Sequence, residues 1–530
     1  MTLPRNPLQN DDAALYALAA KNAIVHNQWL AQFISPGDMT SFLDKPPLGI
    51  WLLAWFPKIV GLNELTIHFP NVLYYSLTLL FLYLFLVRLS SKKTAFYSTL
   101  IAATSLALVV YSRAPKLDVL LTLFIMIAHL SLYDYLKNDR PSSLFPFTIS
   151  LACGFLVKSG FGLLMTAMLL IFLIVFNAEA RKRLFSLLIT RYLLLLPLIF
   201  ITIVGGVLYA QSFALKGEWL NYIRSITIQS KYNTSYLGLG FNYSIVGLLL
   251  ITLFPWMPLF FKGLKFSFRS PPPPLPMGEG RDSKTDQKEM ARVRAGLTLP
   301  DFCSLWFWSN FLFFLFFFRQ TDFRTFTILV PPMAILAGTA LEEEKGSKTT
   351  IGWSLFFLVI FSLILFSTIL HPQNQQGFSL IDAIVPVAFF VVSLLALTIY
   401  FWKPTGVKLA VSFILICMSY TVLFWNTKPI ADAFNPDLKW PQIIREYKNK
   451  GYPLYIYRPP DRQLFYSPDL FWVDFMAGPA DRYFWDGKEL TSAIKEQKAL
   501  VLSDTKSWDK LNTKNARVVA QDSYSILILR

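Results

Sequence analysis

The chain has 530 residues, of which 54% are hydrophobic, 16% aromatic and only 15% charged, with 48 Phe. A soluble domain carries about 25% charged residues, so the composition excludes an ordinary soluble enzyme, and the bulky apolar content excludes a disordered or fibrous chain. The net charge of +16 reads as Lys and Arg gathered in loops on the cytoplasmic side of a membrane; no nucleic-acid partner is expected. Cys153, Cys303 and Cys417 all lie in apolar stretches without metal spacing, which predicts buried free thiols and no disulfide framework.

Residues Met1 to Leu15 are polar and lack the apolar core of a signal peptide. Segment 46–61 is apolar but broken by Pro46, Pro47 and Pro57, and predicts helices lying in the interface. Runs long enough to cross a bilayer follow at 70–88, 94–112, 117–136, 144–158, 160–176, 191–210, 241–261, 300–318, 324–341, 351–370, 379–401 and 407–425, the run 144–158 being short. The predicted fold class is an all-α polytopic membrane domain over 1–430, with about 12–13 transmembrane helices. Within it, Ser270 and the prolines Pro271 to Pro274 open a stretch that cannot build a core, which predicts a disordered cytoplasmic loop over 262–298. Six Phe lie between Phe311 and Phe318; a prenyl-binding wall is one reading, and lipid-facing rings the favoured one. From about Asn435 the chain turns polar. Strand-like runs at 453–457, 499–502 and 524–529 alternate with helical ones, predicting a small C-terminal α/β extracytoplasmic domain over 431–530.

Charge sets the expected orientation. Alternate loops carry Arg88, Lys92 and Lys93; Lys137 and Arg140; Arg181, Lys182, Arg183 and Arg191; Lys262 through Arg294; Lys345 and Lys348; and Lys403 and Lys408. These belong inside. The segments 1–69, 113–116, 211–240, 319–323, 371–378 and the tail after Trp425 then face outside. An even number of crossings puts both ends outside, so a first helix upstream of this start is expected to carry the amino end across.

The outer segments hold polar groups beside apolar helices, where ionisable residues are expensive and merit a functional reading. They are Asp11 and Asp12 followed by Tyr16; Asn27-Gln28-Trp29; Asp44-Lys45-Pro46-Pro47-Leu48 leading to Trp51; Gly61-Leu62-Asn63-Glu64; His68-Phe69-Pro70; Arg113-Ala114-Pro115-Lys116-Leu117-Asp118; and Lys158-Ser159-Gly160. Taken alone, Asp11 and Asp12 also suit a helix cap. Lys45 also suits a side chain snorkelling to headgroups, and Asp118 a structural ion pair with Arg113 or Lys116.

In this order and spacing the motifs resemble the polyprenyl-phosphate-dependent glycosyltransferases of the GT-C class. These include protein O-mannosyltransferase-like enzymes and the transferase that adds aminoarabinose to lipid A. The family pattern has an acidic pair, a Tyr four or five residues on, Gly-Asp-Trp, Glu-Lys-Pro-Pro-Leu with a following Trp, Gly-x-Asn-Glu, Arg-Leu-Asp and Thr-Lys-Gly. The resemblance implies a GT-C fold in the inner (plasma) membrane with extracytoplasmic catalytic loops. It also implies transfer of a sugar, with inversion, from a polyprenyl-phosphate donor to a lipid A, envelope glycan or protein acceptor. The expected partners are the polyprenyl-phosphate sugar, a lipid or protein acceptor, and membrane lipids. The resemblance assigns Asp12 as the catalytic base, with Asp11 beside it and Asp118 as a second carboxylate that orients the acceptor or a metal. Lys45 is the first phosphate ligand, with Lys158, Lys231 and Arg324 as further cations. Arg324 is kept where the family reads Arg-Tyr before its Pro-rich turn, whereas the Tyr is replaced by Thr325. Asp12, Asp44 and Asp118 could hold a divalent ion through oxygen ligands, and no other cofactor is implied. The carboxy-terminal domain reads as a cap over the cavity. The alternatives are a transporter or lipid flippase, which places charges near the midplane and often has inverted repeats, and a catalytically decayed relative.

Overall fold

The computed structural model describes residues 11–32, 45–187, 189–215, 219–220, 241–266, 297–317, 323–343, 352, 440–457, 481–484, 486–504, 508, 511, 517–521 and 525–529. Helices make up the part before residue 344, and a five-stranded sheet with two helices the part after 439. The runs expected at 351–370, 379–401 and 407–425 and the loop core 270–296 lie outside the described residues, residue 352 excepted.

Six described helices are long and apolar enough to cross a membrane: Leu65–Leu89, Asp118–Asn138, Pro141–Lys158, Tyr192–Leu215, Leu299–Phe317 and Phe323–Glu343. The number rises to eight if each of two bent pairs is one span. Helix α1 (Asp11–Val25) starts on the acidic pair; carboxylates in a first turn suit the positive end of the helix dipole. Its residues Ala13 through Ala20 are all buried. Helix α2 (Leu48–Val60) turns Ile50, Leu53, Ala54 and Pro57 inward and leaves Trp55, Ile59 and Val60 exposed. One side of this 13-residue helix is thus buried and the other exposed. Gly61 closes it at φ +106, a conformation glycine adopts freely. Asn63 and Thr66 then cap α3 (Glu64–Leu89) reciprocally, each side chain accepting from the other's backbone N–H at 2.9 Å. The Gly-x-Asn-Glu motif is thus a turn and a helix start.

Two expected single spans are broken. Run 94–112 divides into α4 (Lys92–Ala103) and α5 (Leu106–Tyr111). Between them the Thr104 and Ser105 hydroxyls donate to the Leu100 and Ala102 carbonyls, both at 2.8 Å, carbonyls that also accept from the Thr104 and Ser105 N–H groups at 3.2 Å; such back-bonding to the preceding turn bends helices. Trp256 Nε1 donates to Thr104 Oγ1 at 2.7 Å, tying the break to a second one. There, run 241–261 becomes Ser244–Thr252 and Met257–Phe266, bent by 101° around Pro255, which has no N–H to continue a helix. Helices α6 (Asp118–Asn138), α7 (Leu144–Lys158) and α8 (Phe161–Phe176) follow the expected bounds. The aromatic run is split: Phe311, Phe313 and Phe314 are buried, whereas Phe316 and Phe317 are 42% exposed. The lipid-facing reading therefore holds only for its end. Phe314 packs on Phe326 at 5.6 Å, behind the 3₁₀ helix Phe323–Leu329.

The carboxy-terminal sheet runs in the order β2-β1-β3-β5-β4, from β1 (Leu454–Tyr457), β2 (Arg482–Phe484), β3 (Leu500–Asp504), β4 (Arg517–Gln521) and β5 (Ser525–Leu529). Strand β1 is parallel to β2 and β3, and β5 is antiparallel to β3 and β4. Side chains alternate as a two-residue period requires. Leu454, Ile456, Leu500 and Leu502 share a core with Ile444, and Tyr455, Tyr457, Val501 and Phe484 a second core with Leu490 and Ile494.

Small residues let the membrane helices approach, since apolar side chains gain little by leaving lipid. A Cβ on Gly263 would stand 2.0 Å from the Leu336 carbonyl oxygen, and one on Gly338 2.7 Å from the Ser98 backbone nitrogen. Gly263→Val and Gly338→Val are each expected to cost at least about 1–3 kcal/mol, read as a lower midpoint of thermal unfolding in detergent. The control Gly206→Val, where a Cβ meets nothing within 4 Å, leaves the midpoint unchanged.

Candidate active site

The site is organised around the turn between α5 and α6. Two polar side chains of α3 reach across to its backbone. His68 Nδ1 donates to the Arg113 carbonyl at 2.5 Å, and Asn71 Nδ2 donates to the Lys116 carbonyl at 2.7 Å and to that of Ala114. Buried carbonyls off a helix need such donors, and these two hold the Arg113–Lys116 turn in place. Its side chains are as buried as its backbone: Arg113 is 8% and Lys116 3% exposed. Lys116 Nζ sits 5.0 Å from the centre of the Tyr111 ring, a cation–π geometry. Burial draws the Arg113 guanidinium down to about 10, so it stays charged at neutral pH.

The turn delivers Asp118 to the first turn of α6, 3% exposed. Its Oδ1 accepts from Lys158 Nζ at 2.6 Å. Its Oδ2 is buried with no hydrogen-bond partner among the described residues. Lys158, expected to face phosphate, is the last residue of α7 and instead holds Asp118. The chain turns immediately behind it through Ser159, at φ +55. A non-glycine residue there is strained and persists only where its surroundings demand it.

Lys45 is 7% exposed and directly precedes Pro46 and Pro47. The start of α2 lies against the Lys116-Leu117-Asp118 stretch, because a Cβ on Gly49 would stand 2.8 Å from Leu117 Cδ2. The Asn27-Gln28-Trp29 segment is a brace for this loop. Trp51 Nε1 donates to the Trp29 carbonyl at 2.5 Å, Gln32 Nε2 to that of Pro47 at 3.2 Å, and Gln211 Nε2 to that of Leu30 at 2.9 Å.

Arg324 stands in the first turn of the 3₁₀ helix and is ion-paired to Asp12 at the start of α1. The 3₁₀ helix is bound to α6 through Thr122 Oγ1, 3.0 Å from Thr327 Oγ1, and to α5 through Tyr111 and Phe323, 5.8 Å between ring centres. The structure therefore pairs Asp12 with Arg324 and Asp118 with Lys158, from segments far apart in the chain, and rests the start of α2, just after Lys45, on Leu117. Asp44 and Lys231 lie outside the described residues, as does the side chain of Asp11. Among the described residues no three His, Cys, Asp or Glu side chains come together as a metal site. Five cations (Lys45, Arg113, Lys116, Lys158, Arg324) accompany two described carboxylates (Asp12, Asp118). Such an excess in a site of low dielectric favours an anion. Asn71 and Thr122 are supporting residues that the motif reading left out, and His68, quoted there only within His68-Phe69-Pro70, joins them as a donor to the turn. An imidazole and an amide inside an otherwise apolar helix are the available signal for His68 and Asn71.

Residues 44–205 match the dolichyl-phosphate-mannose-protein mannosyltransferase family. An uncharacterised protein of Aquifex aeolicus (strain VF5) is 27% identical over 174 residues, which is 33% of this chain and 34% of that one. "Putative mannosyltransferase YkcB" of Bacillus subtilis (strain 168) is 26% identical over 192 residues, 34% of this chain and 26% of that one. The aligned part thus spans about a third or less of these curated relatives. In fold the likeness is complete. ArnT from Cupriavidus metallidurans in the apo state superposes with a TM-score of 0.75 at 16% identity, covering 100% of this chain and 95% of that one. The same protein bound to undecaprenyl phosphate gives 0.74 at 15%, with the same coverage. The chain has the ArnT fold of an integral membrane protein, and its resemblance to polyprenyl-phosphate-dependent GT-C glycosyltransferases rests on family, motif and fold together.

Proposed function

We propose that this protein transfers a sugar from a polyprenyl phosphate to an acceptor hydroxyl at the outer face of the inner (plasma) membrane, with inversion. The observation that carries the reading is a pair of carboxylates held by cations, Asp12 by Arg324 and Asp118 by Lys158, on elements joined through Thr122 and Thr327, together with the buried cations Lys45, Arg113 and Lys116. The mannosyltransferase match over 44–205 and the ArnT fold, known with undecaprenyl phosphate bound, supply the donor class. Lys92, Lys137 and Arg140 stand at the opposite ends of the same helices, which supports an outward-facing site. The acceptor class is a lipid A, an envelope glycan or a protein. The described carboxy-terminal strands and helices belong to a domain over 431–530 that caps the cavity.

In the proposed reaction Asp12 takes the proton of the acceptor hydroxyl as its oxygen bonds to the anomeric carbon. The bond from that carbon to the phosphate oxygen breaks on the opposite face, and its electron pair leaves with the prenyl phosphate. Lys45 and Arg324 stabilise the charge gathering there, with Lys231 a further candidate. Asp118, with one oxygen held by Lys158 and the other unpartnered among the described residues, is placed to accept a hydrogen bond from the acceptor. Asp44 and Asp12 remain the candidate oxygen ligands for a divalent ion, with no step assigned to it.

In purified protein in lipid with radiolabelled polyprenyl-phosphate sugars, Asp12→Asn and Lys45→Ala are each expected to lower transfer by about 10²–10³. Full transfer by both variants would remove the two from the chemistry. Lys158→Met leaves Asp118 as a buried charge without its cation and is expected to cost about 3–5 kcal/mol. Adding Asp118→Asn recovers most of that loss, since no charge is then stranded; the thermal unfolding midpoints of the single and double variants read the coupling.

A further inference from the structure

Arg324 has two roles to fill. In the structure its guanidinium holds Asp12. In the reaction proposed above, on which this inference rests, it holds the leaving phosphate. A direct displacement sets the two against each other. The base and the attacking oxygen approach one face of the anomeric carbon while the phosphate departs from the other, so a guanidinium drawn onto the phosphate is drawn away from the base. The backbone has little freedom to reconcile the two positions. Thr325 through Leu329 are all buried, and the 3₁₀ helix is bound to α6 and packed on α5. The side chain can still move, being 18% exposed against 24% for Asp12.

We propose that Arg324 is a shared cation that Asp12 and the donor phosphate compete for, so that donor binding strips the guanidinium from the base. While the pair stands, the guanidinium engages Asp12 Oδ2 and neutralises the carboxylate that would take the acceptor proton. The donor's phosphodiester offers the guanidinium two non-bridging oxygens and so a bidentate partner, and its arrival frees Asp12 at the moment an electrophile is in place. The consequence is a donor-first order: the base becomes available only to an acceptor that meets a loaded donor site.

Competition of this kind has a signature that a simple phosphate ligand lacks. Binding of radiolabelled undecaprenyl phosphate, the monoester that the transfer releases and a stand-in for the donor's phosphate, to the full chain in lipid nanodiscs is the measurement. Arg324→Gln should weaken binding. Asp12→Asn should tighten it, on the order of fivefold for release of a partly exposed ion pair. The double variant should bind like Arg324→Gln alone, because the gain passes through Arg324. The variant Arg324→Lys, which keeps the charge, should retain the response to Asp12→Asn and checks that the site is folded.

If Asp12→Asn leaves binding unchanged or weaker while Arg324→Gln weakens it, the competition is refuted and the donor reading survives. If the tightening persists in the double variant, it reflects only the loss of a negative charge, and the shared cation is likewise refuted. Binding by Arg324→Gln equal to that of the unaltered chain removes Arg324 from the phosphate site and the proposal with it, leaving Lys45 to carry the donor reading. No binding by the unaltered chain overturns both.

Discussion

A carboxylate removed from water has to find a cation, and here that requirement shapes the mouth of the helix bundle. Asp118 is almost fully buried and meets Lys158 across forty residues of sequence. The contact depends on where the α5–α6 turn begins α6, and therefore on His68 and Asn71, which fasten that turn to α3 through its carbonyls. It depends equally on the turn through Ser159, which ends α7 with its lysine facing back toward α6. Leu117, carried by the same turn, is the surface on which α2 rests through Gly49, and α2 follows directly from Lys45. One ion pair at the end of one helix thus draws four segments of the chain into register.

The far ends of the same helices solve a similar problem differently. Asp134, four residues before Asn138, is buried and accepts from Arg88, Ser143 and Asn138. Its cation comes from the half-exposed end of α3, and neutral donors share the remaining charge. Both carboxylate oxygens are engaged there, as a structural carboxylate requires. Asp118 differs by an oxygen without a partner among the described residues. That open oxygen suits the acceptor-orienting role proposed for Asp118.

Much of this was legible in the chain. Long apolar runs follow from bilayer thickness alone, and α3, α6, α7, α8 and α10 (Tyr192–Leu215) lie close to where that rule puts them. The breaks at Thr104 and around Pro255 were not legible as breaks, because hydroxyls that bond back to the preceding turn hide inside an apolar average. Phe314 and Phe316 have the same composition and opposite environments, which only packing decides. At the site, the charged motifs were visible because charge beside a membrane is costly. Which charge pairs with which was not, since Asp12 and Arg324 come from opposite ends of the helical part. Nor did the Asn27–Trp29 and Gly61–Glu64 patterns reveal from spacing that they act as brace and cap.

The two helices that flank Lys158 are short. Helix α8 has 16 residues and the span Pro141–Lys158 has 18, about 24 and 27 Å at the rise of an α-helix. A typical hydrocarbon core is about 30 Å thick. A bilayer of that thickness would thin beside these helices to relieve the hydrophobic mismatch, which would lower the headgroup plane at the edge of the bundle where Lys158 and Asp118 stand. A lipid whose head must enter there has less height to climb and less of its tail to expose.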